Sequence, residues 1–121
     1  MADVIQVKPQ ARVQLKKNTG DVLYNQEFAP DPQTYTSHVG MAITVGTNTS
    51  VILSQGNIVD VVNLFVKANN ACVLKVNAQA AGTPLVGTNS VWVAYSTSLT
   101  ETKVLNESTT NTVTVNYVLT N

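Results

Sequence analysis

Near the end of the chain Val113, Val115, Tyr117 and Leu119 alternate with Thr112, Thr114, Asn116 and Thr120. A period of two places alternate side chains on opposite faces of a pleated strand, so this stretch reads as a strand with one face buried and one wet. The same β-branched and aromatic character recurs in VNLFVK at 62–67, CVLKV at 72–76 and VWVAY at 91–95. Such residues fit a half-buried pleated surface. Residues 58–119 are thus a succession of strand-like segments with almost no side chains suited to chemistry. They read as a scaffold, not as a reaction site.

The first half continues the pattern. A short extended piece at 4–7 is stopped by Pro9, and RVQLK at 12–16 alternates polar with apolar residues. A turn at 18–20 leads into VLYNQEF at 22–28, after which Pro30 and Pro32 break regular pairing. Residues 30–40 are expected to form a surface loop carrying Tyr35 and His38. MAITV at 41–45 and SVIL at 50–53, joined by GTNT, suggest a hairpin. Residues 56–66 place Ile58, Val61, Val62, Phe65 and Val66 at helical spacing. The valines restrict χ1 and favour a strand, with a bulge near Asp60.

Register supports strand there too. With residues 68–70 as a three-residue hairpin loop, Lys67 pairs with Ala71, and Val62, Leu64 and Val66 share a face with Cys72, Leu74 and Val76. Residues 78–84 read as a small-residue loop, and GTNS at 87–90 as a turn into the Trp92 strand. About eight to ten short strands without a helix imply an all-β antiparallel sandwich, jelly-roll-like or immunoglobulin-like. One domain over residues 1–121 is expected, with residues 1–10 as an extended N-terminal arm or a frayed end.

Charge narrows the function classes. Seven basic and seven acidic residues balance, and charged residues are only 12% of the 121. Phosphate binding needs a basic field that displaces counterions, so nucleic acid is not an expected partner. No apolar run is long enough for a membrane span, and the N-terminus lacks a signal-peptide pattern, so synthesis in a cytosol is expected. The Asn48 and Asn106 acceptor patterns for glycosylation are then chance matches. A polar surface of Thr, Asn, Ser and Gln suits close packing against neighbours.

Candidate chemistry is sparse. The single cysteine, Cys72, excludes an intrachain disulfide, and in the register above it faces inward as a small hydrophobe. His38 is the only histidine and has no cysteine or carboxylate pair nearby in sequence, a poor basis for a metal site or a general base. No glycine spacing fits a phosphate loop or a nucleophile elbow. No catalytic residue, cofactor or metal is expected. Tyr35, His38, Trp92 and Tyr95 are the candidate binding surface, because flat aromatic rings can stack on sugar faces; alternatively Trp92 plugs the sandwich or an intersubunit seam. The 112–119 strand reads as a low-charge edge strand, which needs a cover such as a neighbouring subunit.

The order of a Val/Leu-Phe-Val-Lys strand, an Asn-rich turn, a Val-Leu-Lys-Val-Asn strand, a Gly-Thr-x-Ser step, the turn at Asn106 and a closing Val-Asn-Tyr-Val-Leu strand resembles small virion proteins of tailed bacteriophages. The resemblance covers about half of the chain and carries no defining functional residues. It implies a capsid decoration (cement) or auxiliary head protein, a homo-oligomer and often a trimer, bound to the major capsid protein or other virion proteins and located in the virion. The alternative is a glycan- or receptor-binding module of a phage tail or fibre protein.

Overall fold

The computed structural model describes residues 5–77 and 80–121. The expected strand start at Val4 and the first two residues of the 78–84 loop lie outside them. The chain divides into two compact units, Met1–Thr36 and Ser37–Asn121.

In the first unit, β1 (Ile5–Val7) pairs antiparallel with β4 (Gln33–Tyr35). Part of the expected arm is therefore a paired strand, and part of the expected 30–40 loop is its partner. Between them β2 (Ala11–Lys16) and β3 (Val22–Phe28) form a hairpin. The Gly20 N–H closes its turn onto the Lys17 carbonyl at 2.9 Å, and Gly20 takes φ +95°, a conformation that costs a Cβ-free residue little.

The second unit is the sandwich. Its strands are β5 (His38–Val45), β6 (Thr49–Ile52), β7 (Asn63–Ala68), β8 (Cys72–Val76), β9 (Thr83–Leu85), β10 (Ser90–Ala94), β11 (Thr102–Asn106) and β12 (Val113–Thr120). One sheet has the order β10-β7-β12-β5 and the other β6-β11-β8-β9, and every pairing is antiparallel. The pairs β5 with β12, β6 with β11, β7 with β10 and β8 with β9 nest inside one another. The unit is thus a long antiparallel ribbon rolled into two sheets, the eight-stranded jelly-roll order and not the immunoglobulin one.

The core lies between these sheets. Val45, Leu64, Val66, Val113, Val115 and Leu119 from one sheet meet Leu74, Leu85 and Val104 from the other, all at 6% exposure or less. Alternation in β12 behaves as its sequence requires: Val113, Val115, Tyr117 and Leu119 point inward and are buried.

Three expectations about pairing need correction. MAITV and SVIL do not form a hairpin, since β5 and β6 belong to opposite sheets. The 68–70 segment is likewise an arch between sheets, not a hairpin loop. Its Asn69 N–H donates to the Thr114 carbonyl at 3.1 Å, and Asn69 Oδ1 accepts from the Thr114 N–H at 2.8 Å. Asn70 Nδ2 donates to the Thr112 carbonyl at 2.9 Å. These bonds hold the arch to the start of β12, so β7 and β8 face each other across the core. Leu64 and Val66 still share the interior with Cys72 and Leu74. Finally, β12 is central, flanked by β5 and β7, and needs no subunit to cover its edges.

Within 56–66 there is no helix; residues before Asn63 form turns and a single bridge from Val61 to Leu99. The strand there is shorter than its apolar pattern suggested.

Candidate functional site

Two buried asparagines, Asn106 and Asn63, fasten neighbouring segments to one another. Asn106 is 2% exposed, and its Nδ2 donates to the carbonyls of Asn111 at 2.8 Å, Gly46 at 3.0 Å and Val45 at 3.3 Å. Its Oδ1 accepts from the Ser108 N–H at 3.1 Å. One amide therefore ties the end of β11 to the end of β5 and to the loop before β12. In the folded protein that nitrogen is occupied by these bonds. Asn63 plays a similar part: Nδ2 donates to Thr120 Oγ1 at 2.9 Å, and Oδ1 accepts from the Ser96 N–H at 3.2 Å. Asn77, at φ +54°, accepts the Thr100 N–H at 2.7 Å.

The two chemically capable side chains lie apart in their surroundings. Cys72 is buried at 6% exposure, and burial pushes its thiol pKa up, away from the reactive thiolate. His38 is exposed at the start of β5, where it pairs with Thr120. Among the described residues no group of three or more His, Cys, Asp or Glu could hold a metal ion, and no helix is long and apolar enough to cross a membrane.

Of the four aromatic and imidazole candidates, Tyr35 belongs to the first unit and the other three to the second, where they do not form one face. Tyr35 ends β4 in the first unit. Trp92 sits on β10 opposite Val66 and packs, half-buried, against the core, as the plugging alternative requires. Tyr95 follows the end of β10, on the edge of the sheet opposite to the β5 that carries His38. Three strand spacings, about 14 Å, separate those edges.

What the sequence reading passed over is uncovered apolar surface. In the β2–β3 hairpin, directly opposed residues share a side: Ala11 with Phe28, Val13 with Gln26 and Leu15 with Tyr24. Val13, Leu15, Tyr24 and Phe28 are 41%, 53%, 44% and 51% exposed. On the other side Arg12 is bonded to Glu27 at 3.2 Å and to Asn25 at 3.1 Å. The hairpin therefore has a charge-free side whose apolar residues are exposed. A two-stranded ribbon is marginal in water until its apolar side is covered. A second patch lies on the outer side of the β10-β7-β12-β5 sheet, where Val93, Phe65 and Val118 stand in one cross-strand row ending at Gly40. The alternation of RVQLK indicated a one-sided strand; that its apolar residues stay exposed is a tertiary fact with no local sequence signal.

Compared with known proteins, the chain matches no family model, no curated protein and no solved structure.

Proposed function

We propose that this chain is a non-enzymatic structural protein of a virus particle, a decoration or auxiliary head protein that attaches in many copies to the shell and reinforces it. The observation that carries this reading is the open apolar side of the β2–β3 ribbon, with Val13, Leu15, Tyr24 and Phe28 uncovered. Contiguous exposed apolar surface marks a place of protein contact. On a repeating lattice, even a modest contact gains avidity when each unit is present many times. The low charge fits attachment through surface complementarity and not through a charged ligand. The jelly-roll order supports the reading weakly, because capsid domains, lectins and cupins share it.

A glycan-binding tail or fibre module is the lesser reading. Trp92, its best stacking platform, faces the core side of β10. Quantitative mass spectrometry of particles purified from the source virus tests the proposal. Hundreds of copies in fixed ratio to the main shell protein are expected. A few to a few dozen would move the chain to tail or fibre, and absence from the particle would overturn the virion assignment.

A further inference from the structure

Three short connections cross between the two sheets, at 46–48, 69–71 and 86–89. Glycine or proline interrupts two of them: Gly40 and Gly46 lie in and after β5, and Pro84 and Gly87 lie in and after β9. The third joins β7 to β8 with neither residue from Val62 to Val76, and only Lys67 and Lys75 are charged there. Segments of high β-propensity, low charge, no proline and few glycines are the ones that stack as identical strands into cross-β layers.

The native geometry of this segment already supplies the two layers of such a stack. β7 and β8 face each other across the core as an arch, and Leu64, Val66 and Ala68 share one buried cluster with Cys72 and Leu74, all at 6% exposure or less. A loop this short closes the two layers at small entropic cost. Asn69 and Asn70 bond to Thr114 and Thr112 in the folded chain, and asparagine side chains form ladders between stacked copies. In the sandwich the backbone of β7 is taken by β10 and β12, and that of β8 by β11 and β9. Stacking is therefore closed to the folded protein and opens when these neighbours let go. The last strand, VTVNYVLT at 113–120, has a similar composition but supplies one layer only.

We infer that residues 62–76 are a latent self-association segment, which on release from the neighbouring strands stacks in parallel register on the same arch of further copies of this chain. Lys67 is its built-in brake. In the sandwich Lys67 stands opposite Val91 and Asn116, both uncharged, whereas in a stack it would lie on Lys67 of the next copy at a spacing of about 4.7–4.8 Å. Charges placed within or beside apolar strands guard against aggregation in this way. The stacking is independent of any role in a virus particle, and a result against it leaves the copy-number test untouched.

The test holds the full chain at its melting midpoint, where the strands are released, and follows fibre formation for the wild type, Lys67→Gln and Lys17→Gln. X-ray diffraction from the wild-type fibres should show reflections at about 4.7 and about 10 Å, the strand and sheet spacings. Digestion of the fibres followed by mass spectrometry should leave a protected core covering 62–76. Lys67→Gln should melt as the wild type does, because residue 67 is exposed, and should shorten the lag at least about twofold by removing the stacked charges. Lys17→Gln makes the same change of charge in the β2–β3 turn and should leave the lag as it is. Absence of fibres with those reflections, a protected core elsewhere, such as 113–120, or a lag that Lys67→Gln shortens no more than Lys17→Gln does would each overturn the inference.

Discussion

At the scale of single residues, burial has opposite consequences for two polar side chains on β11. The two N–H groups of Asn106 Nδ2 are shared among three carbonyls, so Asn106→Ala would leave buried and part-buried acceptors unmet, a buried one costing about 1–3 kcal/mol. We expect a loss of about 2–4 kcal/mol in urea unfolding. Thr102 is 0% exposed, and its Oγ1 has no hydrogen-bond partner among the described residues. Thr102→Val keeps the shape and removes the unmet hydroxyl, so its stability should equal that of the wild type or exceed it by about 1 kcal/mol. A clear loss in the same urea series would show that the hydroxyl is satisfied by something else, such as a bound water. Titration adds a pH effect. Burial raises the pKa of the Cys72 thiol and of the Tyr117 phenol, whose hydroxyl also donates to the Ser54 carbonyl at 3.2 Å. Unfolding frees both groups to ionise, so above about pH 8.5 for the thiol and about pH 10 for the phenol the unfolded chain binds fewer protons than the folded one. Stability therefore falls as pH rises through that range. Melting temperatures measured from pH 7 to 11 should decline, and Cys72→Ser should remove the earlier part of the decline.

Among elements, the strands were more legible than their partners. The final strand was readable because its period of two survives burial intact, and the 87–90 turn because Gly87 and Asn89 take positive φ, at +87° and +58°. Arches were read as hairpins because a short polar loop with asparagine has the same composition in both cases. What separates them is whether Asn69 bonds to Thr114, a residue distant in sequence. The aromatic candidates were chosen by residue type, and type does not say which side of β10 Trp92 occupies. The approach to β9 gives one firm test of the packed tip. A Cβ on Gly82 would lie 2.8 Å from the Leu74 carbonyl oxygen and would overlap the Val73 side chain. Gly82→Ala should thus cost about 1–3 kcal/mol, measured by thermal melting. The ribbon predicts the reverse behaviour. Replacing Leu15 and Phe28 by Thr should leave the melting of the sandwich unchanged, since its buried cluster contains no residue of β2 or β3. The same change should reduce the number of copies retained on particles about tenfold or more, if the ribbon is the attachment face.

For the molecule as a whole, the rolled ribbon places pairing partners far apart in the chain: His38 lies beside Thr120 and Val45 beside Val113. Such non-local pairing makes folding slow, in the millisecond-to-second range. The buried cluster draws all its described members from Ser37–Asn121, so a chain shortened to that span should fold cooperatively, with a heat-unfolding transition close to that of the full protein. Loss of the transition would mean that the first unit is needed to complete the second. The two ends of the rolled ribbon also hold each other. The Asn121 N–H donates to the Ser37 carbonyl at 3.1 Å, and the Ser37 N–H donates to Asn121 Oδ1 at 3.0 Å. Ends that meet can be joined by a few residues and reopened elsewhere, for instance at the 87–89 turn, giving a circular permutant with the same walls. For the same reason the jelly roll can be spliced into an exposed loop of an unrelated host as a cassette, entering and leaving at one point without prising the host apart.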